Sequence, residues 1–143
     1  MNATIRKFGY PTSLLREYRS WVVLLRPAQP TLGSLVLACK EDVNSLGAVS
    51  SPAYAELAIT IVGLEGALQR AFQFDKINYL ALMMVDPHVH FHVIPRYAQA
   101  RDFRGVRCED VAWPKPPDLS NTLAFAAAQM GALQAKISSA WEQ

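Results

Sequence analysis

The sequence has little that would tie it to nucleic acid or to a membrane. Charged residues make up 18% of the 143 residues and the formal net charge is +2, whereas proteins that bind phosphate backbones usually concentrate many more cations. No run approaches the ~18 apolar residues of a membrane span. Residues 1–20 carry several charges and no apolar stretch typical of a signal peptide. We therefore expect neither a nucleic-acid partner nor a membrane partner.

Cysteine is also scarce. Cys39 and Cys108 are the only two in the chain and form no CxxC pair, so a disulfide framework is not expected and a reducing cytoplasm is the simpler location. Apolar residues make up 51%, which is enough for an ordinary core. We predict one domain over residues 1–143, with a core at about 20–97 and a C-terminal arm and helix at 98–143.

The apolar patterns predict a hairpin followed by a helix. Residues 21–25 are apolar and largely β-branched, and a short turn with Gly33 leads to a second apolar run at 34–39. Ser51 and Pro52 then have the composition of a helix start. Apolar residues follow at spacings of three and four, as in an amphipathic helix: Leu57, Ile61, Leu64, Leu68 and Phe72.

Two more strands and a last helix are predicted after residue 72. The strands cover 77–85 and 88–94, the second being stopped by Pro95, and an irregular stretch rich in arginine and proline runs from 96 to 117. Residues 118–121 would cap the final helix. Strands in adjacent pairs favour an α+β fold with an antiparallel sheet of about five strands, a central helix and a C-terminal helix.

All three histidines fall within five residues. Because side chains alternate along a strand, His88, His90 and His92 are predicted to share one face while Val89, Phe91 and Val93 pack on the other. Incidental surface histidines are one interpretation. A zinc site is a second, although three such positions span about 13 Å and only Asp86 offers a further ligand. Nucleophilic and acid–base catalysis by imidazoles that titrate near neutrality is the third.

Residues 88–96, His-Val-His-Phe-His-Val-Ile-Pro-Arg, resemble the His-x-His-x-His-x-x signature of the histidine triad (HIT) superfamily. The resemblance implies a HIT-like domain in a homodimer whose two sheets join, with a purine-nucleotide substrate bound above the triad strand and no metal or cofactor. It also implies that His90 attacks an α-phosphate to give a nucleotidyl-histidine, that His92 bonds a phosphate or leaving-group oxygen, and that His88 holds and polarises the nucleophile.

Departures from the family pattern mark further candidate substrate-binding residues. Ser34 stands where family members commonly have histidine, and Met84 where many have a glutamine, serine or threonine that bonds the phosphate. Arg26 stands where an asparagine is usual, and its charge would replace part of the lost contact. Asn78 matches an asparagine often found ahead of the triad. Arg96, just after the triad, could meet an anion at the same rim.

The predicted function is hydrolysis or transfer of a nucleotidyl group from a nucleoside phosphoramidate or a dinucleoside polyphosphate. One alternative is a nucleotide-binding protein with little or no catalysis, because Ser34 and Met84 leave the phosphate with fewer hydrogen bonds. A zinc-dependent hydrolase that uses the histidine cluster is the other alternative.

Overall fold

A computed structural model of the chain describes residues 1–142. In chain order the elements are α1 (Ala3–Lys7), β1 (Leu14–Glu17), β2 (Trp21–Leu25), β3 (Leu35–Cys39), a 3₁₀ turn (Leu46–Ala48), α2 (Ser51–Phe72), β4 (Lys76–Leu80), β5 (His90–Arg96), β6 (Arg101–Phe103), β7 (Val106–Cys108) and α3 (Ala127–Ala140).

Five strands form one sheet in the order β1-β2-β3-β5-β4. All neighbouring pairs in this sheet are antiparallel. The predicted hairpin pairs Trp21 with Cys39 at one end and Leu25 with Leu35 at the other. The α+β class, the antiparallel sheet, the central helix α2 and the C-terminal helix α3 are thus confirmed. The division into one domain with a core and an arm stays a prediction.

The sheet is covered on both faces. The larger core lies on the side of α2 and α3 and includes Trp21 and Val23 of β2. The smaller core lies on the opposite face, where Val22 and Leu24 of the same strand pack with Ile5 of α1. Because both faces are dry, β2 is a continuous apolar run instead of an alternating one.

Helix α2 follows the predicted stripe with one difference at its start. Ser50 and not Ser51 is the N-cap, since the Ser50 hydroxyl accepts a hydrogen bond from the Ala53 amide at 3.2 Å. Leu64 and Leu68 are fully buried against the sheet. A Cβ at Gly63 would lie 3.1 Å from the Trp141 indole nitrogen, so glycine permits the close packing of α2 on the C-terminal segment.

The predicted bounds of the last two sheet strands were wrong. β4 ends at Leu80 instead of residue 85, and β5 begins at His90 and continues through Pro95 to Arg96. Pro95 is tolerated because β5 pairs with β3 only as far as Val93. Beyond that point the missing N–H of proline removes no ladder bond, and the Pro95 carbonyl accepts instead from the Thr31 hydroxyl at 2.6 Å.

The C-terminal arm also differs from the prediction. β6 and β7 form a two-stranded hairpin inside the stretch that was predicted to be irregular. Helix α3 starts at Ala127 and not near residue 118, because the preceding chain is held extended against the loop after β2. There the Leu123 amide donates to the Gln29 carbonyl at 2.8 Å and the Asn121 side chain donates to the Pro30 carbonyl at 3.1 Å.

Within the described residues, no helix combines the length and the apolar character that crossing a membrane requires.

Candidate active site

Two of the three histidines share one face of β5. His90 and His92 pair with Ala38 and Val36 of β3, which belong to the smaller core. Their rings stand edge to face with centroids 5.1 Å apart, and both residues are buried. The alternation predicted from the sequence is correct for this pair and places both imidazoles at the border of the smaller core.

His88 lies outside the strand, so the prediction of three histidines in one strand was wrong for this residue. The ladder with β3 ends just before this residue: the Val89 carbonyl still accepts from the Cys39 amide of β3 at 3.0 Å, whereas the Val89 amide donates to the Val43 carbonyl at 3.0 Å. The His88 imidazole is held by Thr4 Oγ1 at 3.0 Å from Nδ1 and by Asp42 Oδ1 at 2.9 Å from Nε2. It therefore ties α1 to the loop that follows β3.

The backbone of His88 nevertheless contacts the triad. His90 Nδ1 lies 2.7 Å from the His88 carbonyl oxygen. A carbonyl can only accept, so Nδ1 carries the proton and donates. In the neutral form of such a ring, Nε2 is unprotonated and has a free electron pair. The resemblance implies that His88 holds and polarises the nucleophile; this role stays a prediction, and the contact to His90 is made by the His88 carbonyl.

His92 is bonded to Arg26, which follows β2 directly. Arg26 Nε donates to His92 Nδ1 over 3.2 Å, and Arg26 Nη1 donates to the Ala28 carbonyl over 2.7 Å. Burial, followed by the positive charge of Arg26 and by His90, lowers the pKa of His92 to about 4, against a smaller opposite effect of Asp86. His92 is therefore neutral at pH 7.

The N-terminal segment covers the histidines, and no prediction from the sequence placed it there. The Phe8 ring lies 5.5 Å from the His90 ring and 5.8 Å from the His92 ring, centroid to centroid. Ile5, one helical turn before Phe8, is fully buried in the smaller core. Ile5 and Phe8, spaced at i and i+3, are the sequence signal for this helix. Five helical residues are too few for a periodic apolar pattern to be recognised.

The two histidines open on a cavity of about 390 Å³. Its other lining residues come from α1, from the end of β2, from the loop between β4 and β5 and from the C-terminal arm: Lys7, Phe8, Arg26, Leu82, Met83, Met84, Val85, Asp86 and Leu119. Lys7 is paired with Asp86 at 2.6 Å. The cavity therefore has a mostly apolar rim and one cation, Arg26, without a carboxylate partner in its lining.

Of the residues predicted to bind substrate, only Arg26 and Met84 line this cavity. Met84 is 83% exposed and offers no hydrogen-bond donor. Ser34 is fully buried, and its hydroxyl donates to the Thr31 carbonyl at 2.8 Å. It is placed as a structural residue of the turn before β3, so its prediction as a substrate ligand was wrong.

Arg96 is likewise structural. Its side chain is 4% exposed and forms a two-bond ion pair with Asp110 at 2.7 and 3.1 Å. It also donates to Asn78 Oδ1 at 2.8 Å and to the Lys115 carbonyl at 2.7 Å. These bonds fasten the C-terminal arm to β5 and β4. Neither Arg96 nor Asn78 lines the histidine cavity, so Arg96 is not at the rim where it was predicted, and the role of Asn78 as a substrate ligand stays a prediction.

Asn78 and Arg96 instead line a larger cavity, of about 830 Å³, along β4. The segment Trp113–Pro117 forms its other wall. β4 pairs with β5 and stands at the edge of the sheet. The larger cavity is thus a feature of the sheet edge and is separate from the histidines.

The positions of the three imidazoles also bear on metal binding. Across residues 1–142, no three histidine, cysteine, aspartate or glutamate side chains are grouped so that they could hold a metal ion. His88 faces Asp42 while His90 and His92 face the cavity, and this separation is the reason that the three imidazoles do not form one ligand set.

Comparisons of sequence find no relative. Neither the models of known protein families nor the curated proteins give a match.

Solved structures do match the chain. A histidine triad protein from Bradyrhizobium japonicum is 19% identical with a TM-score of 0.76, and the match covers 99% of this chain and 97% of that one. One from Marinobacter aquaeolei VT8 is 23% identical with a TM-score of 0.71, over 90% and 87% of the two chains. A hypothetical histidine triad nucleotide-binding protein from Sulfolobus tokodaii strain7 is 17% identical with a TM-score of 0.68, over 90% and 82%. The resemblance inferred from residues 88–96 is thus confirmed in three dimensions, and the chain has the histidine triad fold.

Proposed function

We propose that the protein is a nucleotidyl hydrolase or transferase that forms a covalent nucleotidyl intermediate on His90. The substrate class is a nucleoside phosphoramidate or a dinucleoside polyphosphate. The observation that carries the proposal is the bond from His90 Nδ1 to the His88 carbonyl at 2.7 Å. A neutral ring that donates from Nδ1 has its free electron pair on Nε2, and the His90 ring lines the cavity.

The reaction uses this nitrogen as the nucleophile. His90 Nε2 attacks the α-phosphorus, a P–N bond forms to the imidazole, and the bond from phosphorus to the leaving group breaks. An amine leaves with a proton taken from solvent, and a phosphate leaves as its anion. The other proton of the ring stays on His90 Nδ1, and its hydrogen bond to the His88 carbonyl stabilises the positive charge of the imidazolium. Water then attacks the phosphorus and loses one proton to solvent. The bond to His90 breaks, its electron pair returns to Nε2, and a nucleoside monophosphate is released.

His92 supports the phosphate as a neutral donor. With Nδ1 occupied by Arg26 Nε, the proton of the neutral His92 ring lies on Nε2 and is available to a phosphate or leaving-group oxygen. Donors placed where charge develops contribute strongly in an enclosed site. The site requires positioning and charge stabilisation more than a strong acid, as phosphoryl transfer generally does.

A purine nucleotide is the proposed ligand because the cavity combines a phosphate-facing end with an apolar surround. Phe8 and Leu82 supply apolar surface in the lining, and His90 and His92 supply the polar end. The Sulfolobus tokodaii structure with this fold is described as a nucleotide-binding protein, which supports the same ligand class here.

A nucleotide-binding role with little catalysis is the second candidate. The structure favours it at two positions: Ser34 is locked inside a turn, and Met84 brings a thioether to the cavity rim. A phosphate that loses a hydrogen bond at each position would be held less firmly in the transition state.

Turnover of a fluorogenic adenosine phosphoramidate, with intact-mass analysis after a rapid quench, separates the two candidates. The wild type is expected to release AMP and to show an adduct of one adenylyl group. The variants His90→Ala and His90→Asn are expected to show neither, while circular dichroism confirms that they fold. Equal inactivity of wild type and variants, with AMP still bound, would establish the binding role. Activity lost on chelation and restored by zinc would support the metal-dependent alternative.

We also propose a homodimer, a cytoplasmic location and no metal or other cofactor. The dimer is supported by the open edge of β4 and by the 830 Å³ cavity beside it, because an unpaired edge strand is a ready site for a second sheet. The location is supported by Cys39 and Cys108, which are both free thiols and both buried.

A further inference from the structure

Arg26 donates a hydrogen bond to the His92 ring, and this bond determines which ring nitrogen carries the proton. We propose that Arg26 is a positioning residue: by donating Nε–H to His92 Nδ1, it holds His92 in the tautomer whose proton lies on Nε2, the nitrogen left for the substrate. The catalytic consequence rests on the proposed function. The tautomer itself is a property of the free protein and is tested without any substrate.

The guanidinium is oriented independently of the histidine. Arg26 Nη1 donates to the Ala28 carbonyl at 2.7 Å, and the Arg26 carbonyl accepts from the Gln29 side-chain amide at 2.7 Å. Gln29 is itself buried, and its Oε1 accepts hydrogen bonds from the amides of Gly33 and Ser34, both at 3.0 Å. The loop after β2 therefore presents Nε to His92 as a preset donor.

The chemistry of the pair leaves one arrangement. Arginine has five N–H donors and no acceptor and stays protonated in proteins. A ring nitrogen 3.2 Å from Nε must therefore be the acceptor, so His92 Nδ1 is unprotonated. A neutral imidazole carries one N–H, which places that proton on Nε2. Protonating Nδ1 would break the bond and set two cations against each other.

The other charged and titratable groups around His92 come from three elements. His90 lies on the same strand, Asp86 on the loop between β4 and β5, and Lys7 at the end of α1. The Asp86 charge favours a protonated His92, but Asp86 is engaged by Lys7 at 2.6 Å. With His92 only 7% exposed, burial and Arg26 outweigh Asp86, and the pKa of His92 falls to about 4.

This role differs from that of a substrate ligand. A side chain that clamps phosphate presents a free fork of two parallel N–H groups. Arg26 already uses Nε on His92 and Nη1 on Ala28, and it is partly buried. Its contribution to the reaction is therefore expected through His92 and in the turnover number, and not through substrate affinity.

The decisive measurement is the ¹⁵N spectrum of the His92 ring in the free protein, recorded as a function of pH. In the wild type we expect one tautomer, protonated on Nε2, that stays neutral down to pH 5. In Arg26→Ala we expect a mixture of tautomers and a titration midpoint that moves up toward the ordinary value of 6.5. Arg26→Gln, which removes the charge but keeps most of the length, is the second variant and is expected to raise the midpoint as well. Arg19→Gln, an exposed arginine, controls for the change in net charge.

An unchanged tautomer and midpoint in either folded variant would overturn the proposal, as would a wild-type ring protonated on Nδ1. In turnover of the adenosine phosphoramidate, both variants are expected to lose about tenfold or more in kcat, because a His92 ring in the other tautomer no longer presents a donor to the developing charge. Affinity for AMP should stay within about twofold. Loss of AMP affinity with the tautomer unchanged would make Arg26 a substrate ligand instead. A wild type without turnover would refute the proposed function and leave the ¹⁵N result decisive for Arg26.

Discussion

Replacing His92 by glutamine should remove a specific part of the pH dependence of folding stability. His92 has a pKa of about 4 in the folded protein and an ordinary value of 6.5. Between these values the unfolded chain binds a proton that the folded protein excludes, so stability present above pH 6.5 is lost as the pH falls toward 4. The linkage relation gives a loss of about 2 kcal/mol between pH 7 and pH 5, rising to about 3 kcal/mol at pH 4.

The assay is urea unfolding of wild type and His92→Gln at pH 7 and at pH 5, at one fixed protein concentration. Carboxylates also titrate over this range, but they contribute alike to both proteins and cancel in the difference. We expect the stability advantage of the wild type over the variant to shrink by about 2 kcal/mol on going from pH 7 to pH 5. The same difference at both pH values would refute the reasoning that burial and Arg26 keep His92 uncharged.

The remaining predictions concern the arm and the sheet edge. Asp110→Ala should destabilise the protein by about 3–5 kcal/mol, because it leaves the buried Arg96 charge unpaired, and the double change Arg96→Met with Asp110→Leu should cost less. Urea unfolding checks both, and a double variant no more stable than the single one would contradict the explanation. Light scattering after size exclusion should give twice the chain mass of 15.8 kDa, and a monomeric mass would contradict a dimer through β4.

Elements with a strong local pattern were predictable from the sequence. The runs at Trp21–Leu25 and Leu35–Cys39 are apolar over their full length, and α2 repeats its apolar residues over 22 positions. The pair of His90 and His92 follows from the alternation of a strand alone. In each case the residues that decide the structure are close in sequence, so that composition and spacing carry the information.

The predictions failed at residues whose position is set by a contact with a residue far away in the sequence. Arg96 stands four residues after His92 and was interpreted as part of the site, but its partner Asp110 lies 14 residues further on and binds it inside the protein. The β5 strand ends before His88, where the amide of Val89 donates to the carbonyl of Val43 instead of to the sheet. No spacing rule within residues 88–96 reports either contact.

The N-terminal helix shows why the site and the fold cannot be treated apart. Ile5 closes the smaller core over the sheet, and Phe8 extends that cover onto the rings of His90 and His92. The apolar cover removes water from His92, and the loss of water is the largest cause of its lowered pKa. The same packing that covers this face of the sheet therefore contributes to the neutral state of His92 on which the Arg26–His92 pair depends. The proposed chemistry at these histidines therefore requires α1 to be in place, although α1 supplies no nucleophile.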